Sequence, residues 1–334
     1  MRTKELLKVI LSALFIIIFI LSISLIDNVK IAVVESIKTT LLTIIPVLFV
    51  NSTLASVICK SGIIERTFKK SRINPYALTA YIIGNLGGYP LGVKVVADML
   101  KDAKINTTEA ENVIKYSFSP GPAFVLGIVA DNVFNSKLLG YICFLSIFVA
   151  NTLIFIFDKG KYKRAETQNQ INISTNEILL CVRKSADAML TIGATIVFFS
   201  AIVEILRHIL VCIDEFPALL TILEISNILK LDFSDVFSFV IVTALLAFGG
   251  VCIHMQLISL SQGAFSFRKF YITRIVQIVL SAVISYFGYS IITHFFPKAC
   301  TATKYVFTQS TSIIPLVCVV LMMIISFTYK EKAH

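Results

Sequence analysis

The sequence predicts an all-α polytopic membrane protein built from two related, inverted repeats with re-entrant or broken helices. Three observations lead there. Hydrophobic residues make up 57% of the 334 residues and charged residues only 15%, where soluble domains carry about a quarter charged. Several apolar windows exceed the ~18 residues that mark a spanning helix, and mean hydropathy is +0.86. A Gly-Gly pair interrupts apolar sequence twice, at Gly87-Gly88 and Gly249-Gly250, and polar residues follow each time. Irregular backbone at bilayer depth is tolerated only where protein buries it or where it lines a water-filled cavity. Broken segments in matching positions of two halves point to a transporter's binding site.

The elements follow in order. Met1 to Lys8 is basic, and Val9 to Ile26 is an apolar run. The run is long for a signal peptide and lacks a small-residue cleavage site, so it reads as a retained helix with a cytoplasmic N-terminus. A second span covers Ile31 to Ile58, kinked at Pro46. Lys60, Arg66, Lys69, Lys70 and Arg72 then mark a cytoplasmic loop. Tyr76 to Leu86 ends in the first break, and Pro90 to Leu100 is the returning arm of a hairpin. Thr108-x-x-Glu111 matches a capping box, so a helix starts near Glu109. It meets Ser119-Pro120-Gly121-Pro122, a third break. A span follows over Leu138 to Phe157.

Asp158 to Asn176 is polar and carries Lys159, Lys161, Lys163 and Arg164, which reads as a cytoplasmic linker. The second half has a long helix over Ala186 to Leu210, an acidic external loop at Asp214-Glu215 and an amphipathic interfacial stretch over Pro217 to Lys230. Val236 to Ser261 holds the second Gly-Gly break. Spans over Phe270 to Ile292 and Val306 to Phe327 finish the chain, for roughly eight spans in all. The segment Ser36–Ile44 resembles Ser185–Ile192, as Gly87-Gly88 resembles Gly249-Gly250. The boundaries are 1–30 for the N-terminal helix, 31–157 for the first repeat, 158–177 for the linker, 178–292 for the second repeat and 293–334 for the C-terminal helix and tail.

Polar residues beside the breaks are the candidate binding residues. Lys94 follows Pro90, and an ammonium at membrane depth is costly enough to imply a role. It can also snorkel, or pair with Asp98 one turn on. Asn85 and Tyr89 flank Gly87 and Gly88; Asn is as often an interhelical hydrogen-bonder as a solute contact. Ser117, Ser119 and Gly121 sit at the third break, where free amides can receive a carboxylate, though a plain proline kink explains them equally. His254 and Gln256 follow Gly249 and Gly250, with Ser259, Ser261 and Gln262 beyond. Arg274 marks either a cationic cavity or a cytoplasmic helix end beside Arg268 and Lys269. If Lys94 and Arg274 face one cavity, two positive charges favour a dianion over a monoanion or a neutral nucleoside.

The net charge of +10 is spread through loops and is no nucleic-acid footprint. The seven cysteines lack C-x-x-C spacing and read as buried free thiols. The four histidines lack ligand spacing. There is no Walker loop and no H-E-x-x-H, so the expectation is neither enzyme nor metal nor cofactor. The expected partners are a small-molecule anion and the lipid bilayer, with a homo-oligomer left open.

Gly88-Tyr89-Pro90-Leu91-Gly92-Val93-Lys94, Thr108-Glu109-Ala110-Glu111 and Ser117-Phe118-Ser119-Pro120-Gly121-Pro122-Ala123-Phe124 resemble the core of the YlbJ family of sporulation integral membrane proteins. Phe248-Gly249-Gly250 with His254-Met255-Gln256 is similar to its second-half motif. That family lies in the nucleoside-recognition, or Gate-domain, superfamily, so each repeat would be Gate-like. The resemblance implies a transporter of dipicolinic acid during endospore formation, in the bacterial cell membrane or the outer forespore membrane. A nucleoside or nucleobase carrier and a non-transport spore-maturation scaffold are the competing readings. The first would rely on Asn85, Gln256 and Gln262 and tolerate loss of Lys94.

Overall fold

Lipid offers no partner to a free N–H or C=O, so an apolar chain bonds its backbone within helices. The computed structural model describes residues 2–69, 73–158, 174–210, 217–231 and 233–295, and every regular element among them is helical. The expected C-terminal span, the acidic loop at Asp214-Glu215, most of the linker, Lys70 and Arg72 lie outside the described residues.

Helices α1 (Arg2–Ser24) and α2 (Ile26–Thr39) meet at a bend of 95°. A π-helical turn, Thr40–Ile44, leads into α3 (Ile45–Ser61). Pro46 sits in the first turn of α3, where its missing N–H costs nothing. The irregularity expected at Pro46 therefore appears just upstream of it. Gly62, at φ 66°, separates α3 from α4 (Ile63–Thr67). Asn74 caps α5 (Pro75–Gly87) by accepting from the Tyr76 and Ala77 amides. After the break, α6 (Leu91–Lys101) returns along α5.

A reciprocal cap, Asn106 with Glu109, starts α7 (Thr107–Val113). The expected Thr108–Glu111 box gives way to it because Asn106 is already extended and Asn is the stronger cap. Short α8 (Pro122–Phe124), a π turn over Val125–Val129 and α9 (Ala130–Asn132) lead to α10 (Lys137–Phe157). The Ser174–Glu177 box starts α11 (Thr175–Ile209), so the second half begins inside the segment expected to be linker. Next come α12 (Pro217–Leu223) and a 3-10 turn, Ile225–Lys230, capped by Glu224. Then α13 (Val236–Phe248), α14 (Gly250–Ser261) and α15 (Arg268–Phe295) close the described chain.

Among the described residues four helices are long and apolar enough to cross a membrane, or five if the bent α1–α2 pair is one span. The pair α13–α14 counts as one of them, a 26-residue span interrupted at its glycines. The arms α5 and α6 are too short to cross alone. The chain is thus an all-α polytopic integral membrane protein.

Burial follows the solvent. On α15 the exposed residues include Ile272, Ile275, Val276, Val279 and Val283, a face made for lipid. Its buried residues are Phe270, Arg274, Gln277, Ser281 and Ser285, four of them polar. The main core gathers Tyr116, Phe118, Val125, Leu139, Phe239, Leu246 and Phe270, where α15 packs on α10 and α13.

Candidate functional site

Two helix breaks meet in this core. At the first, α5 ends at Gly87, and Gly88 takes φ 80° before Tyr89, Pro90 and α6. At the second, Gly249 and Gly250 take φ 90° and 78°, which only glycine adopts without strain. A Cβ at Gly249 would lie 2.8 Å from the Phe118 ring and 3.4 Å from the Tyr89 ring. The two breaks are therefore in contact through Tyr89.

A helix that ends leaves four carbonyls without partners. At the end of α13 each has one. The Gly249 amide bonds Leu245 O at 2.9 Å. The Tyr89 hydroxyl donates to Leu246 O. Arg274 Nη1 donates to Ala247 O at 3.4 Å. His254 Nε2 lies 2.9 Å from Phe248 O and bonds it when it carries the proton. Three residues expected at the site, Tyr89, His254 and Arg274, thus cap a broken helix inside the membrane.

The third break is held the same way. Asn85 Nδ2 donates to Tyr81 O at 2.8 Å and to Tyr116 O at 2.9 Å. Asn151 Nδ2, from α10, reaches Phe118 O at 3.0 Å and Asn85 Oδ1 at 2.8 Å. Arg274 Nη1 is 3.4 Å from Phe118 O. Ser117 and Ser119 spend their hydroxyl protons on Val113 O and Pro120 O. The hairpin and the extended Ser117–Gly121 segment touch backbone to backbone. A Cβ on Gly92 would fall 1.7 Å from Ser117 O, one on Gly84 2.2 Å from it, and one on Gly121 3.0 Å from Gly88 Cα.

Lys94 lies apart from this network. Its Nζ donates to Lys184 O on α11 at 2.8 Å. Asp98 pairs with Lys184 Nζ at 3.4 Å, so the Lys94–Asp98 pair read from the sequence is replaced by a tie to α11. Lys94 stands between two cavities. One, of about 160 Å³, is lined by Lys60, Lys94, Lys101, Lys104 and Lys184 against Asp98 and Asp102, with Cys59 and Cys181 in its wall. The other is a crevice of about 10 Å³ running past Gly87, Tyr89 and Pro90 to Ser185 and Leu260. Arg274 lines neither, so the pairing of Lys94 and Arg274 in one cavity is not found there. A third cavity, about 290 Å³, sits at the other end of α11 between Glu35, Glu204, Arg207, Glu224 and Lys230. Burial pushes the Glu224 carboxyl up, although Ser226 and Asn227 donate to it.

Arg274 is 2% exposed and packs against the Phe118 and Phe270 rings, its Cζ 4.4 and 4.8 Å from their centroids. It is thus enclosed by protein rather than exposed beside Arg268 and Lys269. Gln256 is buried, with Nε2 3.6 Å from Cys252 Sγ. Sequence reading missed Asn151, Gln277 and Lys184. Asn151 was legible as the amide inside an otherwise apolar span, and Gln277 as the polar residue one turn from Arg274 on the same face. Lys184, 90 positions from its partner Lys94, gave no signal. Cys59, Cys143, Cys181 and Cys252 are free thiols.

No protein-family model matches the chain, and no solved structure matches it. It is similar to the protein named sporulation integral membrane protein YlbJ of Bacillus subtilis (strain 168), with 23% identity over 249 residues. The aligned stretch covers 60% of this chain and 61% of that protein, less than two thirds of its length.

Proposed function

We propose that the chain carries a small anionic solute across a membrane, and that the solute is dipicolinate. One observation carries the reading. The 160 Å³ cavity holds five lysines against two aspartates, and Lys94 lines both it and the neighbouring crevice. Clefts lined by one sign of charge concentrate ions of the other sign. The lysines that line it suit a cytoplasmic mouth.

Lys184 and Glu204 mark the two ends of the path along α11. Their separation is about 30 Å at 1.5 Å per residue, close to the hydrocarbon thickness of a bilayer. Between the two cavities lie the crevice beside Lys94 and the knitted helix breaks. An opening at each end and a closed centre would suit a carrier at rest. Lys94 is the inner contact: releasing Lys184 O would free an ammonium for an arriving carboxylate. The resemblance to the YlbJ family supplies dipicolinate, a small planar dianion that suits a cavity of net positive charge.

Competition binding to purified protein tests the solute class. Dipicolinate should displace a labelled dipicolinate probe better than picolinate, and picolinate better than uridine or adenosine. Tighter binding of a nucleoside would favour the nucleoside-carrier reading and overturn this one.

A further inference from the structure

The buried face of α15 is polar, and its guanidinium is incompletely bonded. Arg274 Nη1 is saturated, with contacts to Phe118 O, Ala247 O and Gln277 Oε1, the last at 2.6 Å. Arg274 Nε and Nη2 have no acceptor, nor does Gln277 Nε2. Arg274 is 2% exposed and Gln277 fully buried. Among the described residues no carboxylate pairs with Arg274. A guanidinium stays charged in a protein, and a buried charge without a counter-ion is strongly unfavourable.

The identity of the free atoms is informative. Nε–H and one Nη2–H point the same way along one edge of the guanidinium. That edge is the fork that takes a carboxylate through two parallel hydrogen bonds. Gln277 Nε2 is a further unbonded donor one turn along α15, its own amide oxygen being held by Nη1. The Phe118 and Phe270 ring centres stand 4.4 and 4.8 Å from Cζ and 5.3 Å from each other, so both lie to one side of the guanidinium, and the two donors of the Nε–Nη2 edge stay unbonded. A water would satisfy a donor and leave the charge; a carboxylate satisfies the fork and cancels it.

We propose that Arg274 and Gln277 form a carboxylate-binding site at the centre of the bundle, distinct from the lysine cavity. As the inner station of a transport path it rests on the reading above; as a binding site it stands alone. Arg274 touches carbonyls of two breaks, Phe118 O and Ala247 O, so occupation of the fork is coupled to how those breaks pack.

The test is thermal unfolding of the purified, full-length protein in detergent, titrated with sodium benzoate. Sodium chloride at equal ionic strength and benzamide are the controls. Benzoate should raise the melting temperature with a saturable dependence, and neither control should do so. Arg274→Lys keeps the charge and loses the fork, so its apparent benzoate affinity should fall at least about tenfold. Gln277→Leu keeps the fork and should lose affinity by a smaller factor, and Lys137→Ala, on an exposed surface, should keep the wild-type response. If Arg274→Lys does not fold, the Gln277→Leu titration decides alone. An unchanged benzoate response in either variant, no response in the wild type, or an equal response to chloride overturns the proposal. Uptake of dipicolinate into proteoliposomes separates the two claims. Benzoate binding without uptake leaves the site and removes transport; uptake that Arg274→Lys leaves intact removes the site from the transport path.

Discussion

Gly92→Ala is the sharpest test of how the hairpin is held. The added Cβ would lie 1.7 Å from Ser117 O and 2.9 Å from Ser117 C, both backbone atoms. An ordinary contact is about 3.4 Å, so one chain must retreat by about 1.7 Å. Overpacking a core by one carbon costs about 1–3 kcal/mol where side chains can yield. Here no side chain yields. The retreat also pulls Tyr116 O and Phe118 O from Asn85 and Asn151, about 1 kcal/mol for each hydrogen bond. The expected loss is more than about 4 kcal/mol, beyond the usual range for a point change. Gly193→Ala is the control. Its Cβ would meet only the movable ends of Thr40 and Ile45 side chains, at 3.3 and 4.0 Å. Alanine also favours a helix interior by up to about 1 kcal/mol, so this variant should stay within about 1 kcal/mol of wild type. Melting of detergent-purified protein, followed by the monodisperse fraction after heating, reads both. A Gly92→Ala protein as stable as Gly193→Ala would refute the backbone contact.

Asn151→Leu should destabilise the protein by about 1–3 kcal/mol, because Asn85 Oδ1 and Phe118 O lose a donor in a dry site; the same melting assay checks it, and a neutral effect would show that the network is not structural. Glu65 is 5% exposed in α4, and burial pushes its carboxyl above the usual carboxylate range. Its ionised form therefore weakens the fold above that raised value, and proton uptake relieves the penalty as pH falls through it. Glu65→Gln should melt above wild type at pH 8, with the gap closing toward the ordinary Glu value of about 4.3. A gap that widens on acidification would contradict the assignment. Tyr89→Phe should lower stability modestly by leaving Leu246 O uncapped; a melting temperature equal to wild type would show that another group takes that carbonyl.

The breaks were legible because their chemistry is local. Successive glycines in apolar sequence have few uses besides left-handed backbone, and Gly249 and Gly250 adopt it. Pro120 and Pro122 around Gly121 likewise left no regular helix to form. Arg274 stood out because a charge inside Tyr271 to Leu280 needs a reason. What those residues touch was not legible. Tyr89 reaches α13, Asn85 reaches α10, and Lys94 reaches a carbonyl of α11, all set by packing across long sequence separations. Tyr89 and His254 read as candidate solute contacts from sequence, and Asn85 as either a solute contact or an interhelical hydrogen-bonder; their bonds in the structure go to the broken backbone and, for Asn85, to Asn151 of α10. The 95° bend between α1 and α2 falls near Leu25, with neither glycine nor proline there to announce it.

The most direct measurement is uptake of labelled dipicolinate into proteoliposomes holding the full-length protein, with empty liposomes as the baseline. Lys94→Ala and Lys137→Ala are compared at equal protein density. Lys94 lines the basic cavity, whereas Lys137 pairs with Asp131 on an exposed surface. The account predicts saturable uptake by wild type, wild-type rates for Lys137→Ala, and a loss of at least about tenfold for Lys94→Ala, as for removal of a charged partner of a bound anion. Uptake at the level of empty liposomes, or equal rates for the two variants, would contradict it.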